Sequence, residues 1–297
     1  METSVIIPTY NYARFLTRAL ASVVGQDTVG EILVVDDGSN DDAATVVQQF
    51  QRDHGGMTPA IHYIWQANAG PSAARNHGAA LARYEWLAFL DADDYWYAGK
   101  MRAQAALVER YPQGALFFAG VDCEDIDGRR VRHLPPRDGV ISWNELLLEN
   151  MVYSPTPLLR AEVFRSAGGF DENRRLSEDW DLWLRVAERA PVIAQRQALA
   201  CYLDHSQGLH RDARITEAAW SVWAAAMARQ RRSRLRPGMA DEAIAALLSA
   251  EAYGQWSHGQ PTEALRMGWR AARYDWSHLA TLGKLTLKWA VRRWLTA

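Results

Sequence analysis

Short apolar runs alternate with segments of helical periodicity through the first third of the chain. Strands are predicted where β-branched and aromatic residues run together, and helices where apolar residues recur three and four positions apart. The predicted strands are Ser4–Pro8, Glu31–Asp36, Ile61–Trp65 and Trp86–Leu90, and the predicted helices are Tyr12–Gly25, Asp41–Arg52 and Pro71–Arg83. This alternation predicts right-handed crossovers and a mostly parallel α/β sheet. Beyond Leu107 the pattern is irregular, with one more strand predicted at Ala115–Val121 and a short helix at Trp143–Glu149.

Ligands of open parallel sheets bind beyond the carboxyl ends of the strands. Polar segments follow the first three predicted strands, at Pro8–Asn11, Asp36–Asp41 and Gln66–Gly78. Turn chemistry alone accounts for Asp36 and Asp37, with Ser39 or Asn40 predicted to cap the next helix. Arg75 could bind phosphate oxygens in a bidentate way or form a surface salt bridge.

The fourth predicted strand ends in the acidic sequence WLAFLDADDYW, Trp86–Trp96. In an extended strand Asp91 and Asp93 point to the same side. Paired carboxylates attract Mg2+ or Mn2+, and these ions usually keep phosphate oxygens among their ligands. The segment therefore predicts a metal site that serves a nucleotide or diphosphate substrate, with a plain polar turn as the alternative.

A predicted helix near residue 180 begins with acidic residues. Ser177 is the predicted N-cap, and Glu178 and Asp179 follow it in the first turn. The apolar face of this helix is predicted to contain Trp180, Trp183, Leu184 and Ala187. The helix dipole favours carboxylates in the first turn, which explains both acids without catalysis. It would also keep Asp179 ionised, as a general base must be.

At 297 residues and 48% hydrophobic content, the chain has room for one large domain with an appendage. Residues 211–297 hold 14 basic against 7 acidic residues. This balance fits either an anionic partner or a solvated helical face. Helices are predicted there at Ala243–Trp256, Pro261–Tyr274 and Leu279–Leu295. The last combines aromatic and basic residues, so it either touches a membrane surface or packs back onto the protein.

Cysteine content and the N-terminal sequence bear on the compartment. Cys123 and Cys201 form neither a disulfide framework nor a metal-binding motif, which fits a reducing compartment. The first strand leaves no room for a signal peptide, and no apolar run approaches the roughly 20 residues that span a bilayer. We expect a cytoplasmic protein that at most touches the inner face of a membrane.

Six motifs occur in a fixed order: SVIIPTYN, EILVVDDGSNDD, NAGPSAARNHG, FLDADD, GGFDE and SEDWDLWLR, followed by a Tyr-x-x-His segment. In this order they resemble the family 2 glycosyltransferases of GT-A fold, over roughly Thr3–Arg211. The resemblance implies an α/β GT-A catalytic domain at residues 1–212, with a nucleotide-binding sheet flanked by helices. An α-helical C-terminal extension would follow at 213–297.

The same resemblance implies roles for individual residues. Those expected to hold the nucleotide are Pro8, Tyr10, Asp36, Asp37, Asn68, Arg75 and Asp91. The divalent cation, Mn2+ or Mg2+, would be held mainly by Asp93, with Asp91 and His205 near it. Asp179 would be the catalytic base, with Glu178 beside it on the acceptor side. The basic residue that usually lies between Tyr202 and His205 is absent here, where Leu203-Asp204 stand.

The resemblance implies a metal-dependent, inverting transfer of sugar from a nucleotide-diphospho-sugar, with a UDP-sugar favoured. The acceptor would be a hydroxyl of a glycan or lipid-linked glycan in cell-surface polysaccharide biosynthesis, and no nucleic acid partner is expected. A sugar nucleotidyltransferase would need a Gly-rich, basic loop after the first strand, but PTYNYARF has one arginine and no glycine. A non-catalytic nucleotide-sugar-binding scaffold is the other alternative, against which the intact Asp93, Glu178 and Asp179 argue.

Overall fold

The computed structural model describes residues 1–54, 59–205, 215–229, 248, 252 and 261–274. Within these residues the strands are β1 (Thr3–Thr9), β2 (Val29–Asp36), β3 (Ala60–Trp65), β4 (Trp86–Phe89), β5 (Tyr95–Trp96), β6 (Leu116–Asp125), β7 (Arg130–Leu134), β8 (Gly139–Ile141), β9 (Leu158–Arg160) and β10 (Val192–Asp204). The helices are α1 (Ala13–Val23), α2 (Ala43–Asp53), α3 (Pro71–Leu81), α4 (Lys100–Arg110), α5 (Trp143–Leu148), α6 (Ala161–Ser166), α7 (Glu178–Ala187), α8 (Ile215–Arg229) and α9 (Pro261–Tyr274).

The strands form one sheet in the order β3-β2-β1-β4-β9-β6-β10-β5, with β7 paired to β6 and β8 to β10. The half built from β3, β2, β1 and β4 is parallel throughout, as predicted. The other half is mixed, because β9 lies antiparallel between β4 and β6, and β5 lies antiparallel to β10. The polar segments that follow β1, β2 and β4 therefore lie at one edge of the parallel half.

Helices cover both faces of the parallel half. Leu16 on α1 belongs to the apolar cluster that includes Val5 and Ile7 of β1. Ile6 points to the opposite face, where α3 packs so closely that a Cβ on Gly78 would lie 2.6 Å from Ile6 Cγ2. A glycine at this position lets α3, which carries several site residues, approach the sheet.

The chain divides into two compact units, residues 1–143 with 151–208 and residues 144–150 with 209–297. In the second unit, the predicted helix Pro261–Tyr274 is present as α9. Its buried residues Met267 and Ala271 form an apolar cluster with Leu248 and Ala252, and Trp220 and Leu265 pack against this cluster. The predicted helix Leu279–Leu295 lies outside the described residues, as does most of Ala243–Trp256. Across the described ranges, we find no helix that is long and apolar enough to cross a membrane.

Candidate active site

The loops after β1 and β2 are joined to each other by hydrogen bonds. Asn11, at a positive φ of 57°, donates its backbone N–H to Ser39 Oγ at 2.9 Å and accepts from Asn40 N at 2.8 Å. Pro8 is buried in β1, which ends at Thr9, and Tyr10 is 45% exposed beside these loops. The prediction that Ser39 or Asn40 caps α2 is wrong, because both are used between the loops and the N-cap residue is Asp42.

Asp36 and Asp37 are buried and hold the neighbouring loops. Asp36 accepts from Tyr63 Oη at 2.6 Å and from Ser39 N at 2.8 Å. Burial and the adjacent Asp36 carboxylate raise the pKa of Tyr63. The Asp37 carboxylate accepts from three donors, Gln66 Nε2 at 2.7 Å and the backbone N–H groups of Ala69 and Gly70 at 2.8 Å. Since a carboxylate offers about four acceptor positions, one remains for the N–H of a bound base.

The third loop lies directly against the second. Asn68 donates its side-chain amide to the carbonyl of Asp37 at 2.9 Å. Gly38 has a φ of 79°, and a Cβ there would lie 2.9 Å from the backbone nitrogen of Asn68. Gln66, which was not predicted as a site residue, connects Asp37 with His77, whose Nδ1 lies 2.7 Å from Gln66 Oε1. Its position directly after β3 is the sequence signal that could have identified it as a site residue.

The acidic residues after β4 form a turn. Asp94 N donates to Asp91 O at 3.0 Å, so the prediction that Asp91 and Asp93 share one side of an extended strand is wrong. The strand ends at Phe89 because the turn reverses the chain toward β5. Asp94 is 1% exposed and accepts from Leu203 N at 2.9 Å, which ties the turn to β10.

Asp93 faces a histidine from the other half of the sheet. His205 Nε2 lies 2.8 Å from Asp93 Oδ2, and the imidazole packs against the rings of Tyr12 and Phe15 at the start of α1. The structure thus brings together two of the three residues expected at the metal. Tyr12 was not foreseen as a site residue, although it directly follows the PTYN motif.

Negative charge is concentrated at this turn. Burial raises the pKa of the Asp94 carboxyl well above its usual range, and Asp93 and Asp91 raise it further. Burial likewise raises the pKa of Tyr12 to about 12, with a contribution from Asp93. Asp94 Oδ2 is buried without a hydrogen-bond partner. A divalent cation prefers hard oxygen donors such as the carboxylates of this turn, so the donor set fits one.

The described part of the chain contains no group of three or more His, Cys, Asp and Glu side chains arranged around a common metal position. Asp93 and His205 are the pair in contact, while Asp91 Oδ1 accepts from Arg75 Nη2 at 2.7 Å. A cation held here would complete its shell with oxygens from substrate and water, as Mg2+ and Mn2+ do in nucleotide sites.

Arg75 connects the acidic turn to the start of α7. Its Nη1 donates to Glu178 Oε1 at 2.9 Å, and its side chain is almost fully buried. Burial raises the pKa of Glu178 to about 7, Arg75 opposes the rise, and the Asp179 carboxylate adds to it. Asp179 Oδ1 accepts from Trp180 N at 2.7 Å. Glu178 and Asp179 therefore lie at the same edge of the sheet as the turn.

Two local features around α7 differ from the sequence prediction. Ser177 is the N-cap residue, as predicted, but its backbone is left-handed, with φ of 56°, and it makes no side-chain cap bond. Asn76 makes a paired contact that was not foreseen: Oδ1 accepts from Phe170 N and Nδ2 donates to Phe170 O, both at 2.9 Å. This contact joins the GGFDE loop to α3.

The parallel half-sheet with polar loops at its carboxyl edge places the chain among the α/β proteins that bind a ligand at that edge. The chain belongs to glycosyl transferase family 2, whose family model matches residues 4–168. The predicted family is thereby confirmed, and the solved structures described below confirm the predicted GT-A fold.

Relatives and solved structures agree with this assignment. An uncharacterized glycosyltransferase of Rickettsia conorii is 28% identical over 212 residues, which are 69% of this chain and 34% of that protein. The chain thus spans about a third of the length of this relative. The succinoglycan biosynthesis protein ExoU of Rhizobium meliloti is 29% identical over 197 residues, 62% of this chain and 56% of ExoU.

Two solved structures share the fold at low sequence identity. TarS residues 1–349 from S. aureus, in complex with UDP-GlcNAc, has a TM-score of 0.67 and 19% identity and covers 92% of this chain and 81% of its own. The mannosyltransferase PcManGT from Pyrobaculum calidifontis, in complex with GDP-Man and Mn2+, has a TM-score of 0.67 and 21% identity, with coverages of 99% and 83%.

Proposed function

We propose that the protein is a metal-dependent, inverting glycosyltransferase. It moves a sugar from a nucleotide-diphospho-sugar, with a UDP-sugar favoured, to a hydroxyl of a glycan or lipid-linked glycan. Residues 1–212 form the catalytic domain in this proposal, and residues 213–297 form a helical extension. Family membership supports the chemistry, and the names of two similar proteins, a UDP-GlcNAc complex and a succinoglycan biosynthesis protein, support the donor and the polysaccharide context.

One observation carries the proposal: Arg75 holds an acidic-turn carboxylate and the first carboxylate of α7 on one guanidinium. Its contacts with Asp91 and Glu178 are 2.7 and 2.9 Å. Asp93, which faces His205, and Asp179, the proposed base, are each within two residues of these anchors. Sugar transfer from a nucleotide-diphospho-sugar requires a carboxylate that binds the cation and a separate base. In this proposal both lie at one edge of a parallel, nucleotide-binding sheet.

The donor would lie along the carboxyl edge of β1, β2 and β4. Tyr10 presents an exposed ring for stacking on the base, and Asp37 has an acceptor position left for a base N–H. Pro8, Asp36 and Asn68 shape this pocket from the loops described above. Asp91 reaches the ribose side. Asp93 and His205 would hold the cation, and an imidazole beside a carboxylate favours Mn2+ over Mg2+.

In the reaction, Asp179 takes the proton of an acceptor hydroxyl as that oxygen attacks the anomeric carbon. The new C–O bond forms opposite the departing nucleoside diphosphate, which keeps the electron pair of the broken bond, and the anomeric centre inverts. When bound, the cation neutralises the leaving diphosphate, so no second acid is needed. Glu178 is held by Arg75 Nη1 at 2.9 Å, so Asp179 rather than Glu178 is the base in this proposal.

A thermal-shift screen of nucleotide-sugars with Mn2+ tests the donor site. A ligand at about 100 times its dissociation constant stabilises the folded state by about 2.7 kcal/mol, so the true donor should raise the melting temperature selectively. Asp93→Asn should abolish the Mn2+-dependent part of the shift. An unchanged melting temperature with every donor, or an equal shift in Asp93→Asn, would contradict the assignment.

Contact with a membrane through the predicted helix Leu279–Leu295 stays a prediction within this proposal. Basic and aromatic residues on one helix bind anionic lipid surfaces in a salt-dependent way. Deletion of residues 279–297 should abolish salt-sensitive binding to anionic vesicles. Vesicle binding that is equal with and without these residues would contradict the contact.

A further inference from the structure

Arg75 is a buried arginine whose two terminal nitrogens bind carboxylates from distant parts of the chain. Nη2 donates to Asp91, 16 positions away in sequence, and Nη1 donates to Glu178, 103 positions away. The guanidinium carbon also lies over the Phe170 ring, 5.4 Å from its centroid. The residue as a whole is only 7% exposed. One face of the guanidinium is thus covered by an aromatic ring and its edge is used by two acids.

These contacts leave Arg75 poorly placed to bind a diphosphate. A nucleotide phosphate is recognised by an arginine that presents an accessible fork and uncompensated positive charge. Here two carboxylates balance the single positive charge, and little of the side chain is accessible. The contacts are instead those of a connector, because a planar guanidinium that binds one carboxylate at each end fixes the distance and orientation between them.

We propose that Arg75 is a positioning residue that ties the acidic turn to the N-terminus of α7. It holds the turn carrying Asp93 and the helix carrying Asp179 at a fixed separation. The kinetic consequence of this inference rests on the proposed function, since it concerns the geometry of metal loop and base. It departs from the role that the family resemblance implied, in which Arg75 holds the nucleotide directly.

The first test separates binding from turnover. Arg75→Lys keeps the charge but cannot span both carboxylates with a rigid fork. Calorimetry with UDP and Mn2+ should give affinities within about threefold of the wild type, while turnover at saturating donor should fall about 100-fold, the cost of misplacing reacting groups by about 1 Å. A UDP affinity reduced about tenfold or more with unchanged turnover would overturn the proposal, because it would show direct nucleotide contact. Arg102→Lys, in an exposed pair with Asp27, is the matched control and should alter neither quantity.

The second test does not depend on activity. Arg75→Met leaves Glu178 buried without its counter-charge, and we expect a melting temperature about 6 °C lower or more, since breaking a buried pair is strongly destabilising. Adding Glu178→Gln removes the stranded charge and should restore part of that loss, so the two substitutions are non-additive. If the losses in melting temperature from the two substitutions were strictly additive, the positioning role of Arg75 would be overturned.

The two tests fail in distinguishable ways. If the wild type transfers no sugar from any donor, the proposed function fails, and the stability cycle still decides whether Arg75 joins the turn to α7. If sugar transfer is robust but the effects of the two substitutions on stability are additive, the positioning role of Arg75 fails and the proposed function stands. Arg75→Met variants that do not fold would leave Arg75→Lys, in the same cycle with Glu178→Gln, to decide the point.

Discussion

Asp37 offers the strictest test of how the binding edge is built. The residue is 3% exposed, and its carboxylate accepts from Gln66 Nε2 and from the backbone N–H groups of Ala69 and Gly70. Asp37→Ala leaves all three donors without this acceptor. A buried donor left unpaired costs about 1–3 kcal/mol, and the Gln66 amide can turn toward water, so we expect a loss of about 3–5 kcal/mol in the free energy of unfolding.

Asp37→Asn refines this expectation. Its amide keeps one oxygen, which can still accept from Gln66 and Ala69, but it points an NH2 group at the N–H of Gly70. We expect a smaller loss of about 2 kcal/mol. The order of the two variants therefore reports on the number of bonds rather than on charge alone.

Urea unfolding followed by tryptophan fluorescence measures these losses. The urea concentration at the midpoint should fall, while the slope of the free energy of unfolding against urea concentration stays constant. This combination marks a change in stability rather than in the unfolded state. Asp27→Ala, which removes only an exposed pair with Arg102, is the control and should cost less than about 0.5 kcal/mol. A loss in Asp37→Ala no larger than that of the control would refute the reasoning.

Three further predictions concern other elements. Burial alone would raise the pKa of Glu31, but hydrogen bonds from Ser4 and Arg83 lower it below its usual value. The stabilisation that Glu31 contributes is therefore present at neutral pH and is lost as the pH falls below about 4.5. In Glu31→Gln, the free energy of unfolding should depend less steeply on pH in that range. Gly78→Ala should cost about 1–3 kcal/mol in urea unfolding, since its methyl group would lie 2.6 Å from Ile6; a neutral effect would contradict the close packing of α3. His205→Ala should raise the Mn2+ concentration for half-maximal transfer about 10–100-fold, and an unchanged value would exclude it from the metal.

The predictable parts of the fold are those whose residues are buried together. Every residue of β1 is buried, so the apolar run at Ser4–Pro8 predicted the strand to within one residue at each end. The three-residue β9, Leu158–Arg160, carries too little pattern to be recognised, and its antiparallel place between β4 and β6 depends on contacts distant in sequence. The parallel half was therefore foreseeable and the mixed half was not.

The candidate site shows the same limit at the level of side chains. Position after a strand predicted which residues lie at the edge, and the family motifs predicted which of them matter. Neither revealed that Arg75 is shared between Asp91 and Glu178, because its partners come from elements that only the fold brings together. Ser177 is the N-cap residue that the sequence predicted, but its left-handed backbone and the absence of a side-chain cap bond could not be read from the sequence.

Nucleoside diphosphate release by Asp179→Asn, measured with the donor that the thermal-shift screen identifies, tests the central claim most directly. Asparagine keeps the size of the side chain but cannot take a proton, so turnover should fall about 10²–10⁴-fold while the KM for the donor changes little. Asp53→Asn, on the exposed surface of α2, should transfer sugar at the wild-type rate. Turnover of Asp179→Asn within about tenfold of the wild type would contradict Asp179 as the base, and with it the mechanism.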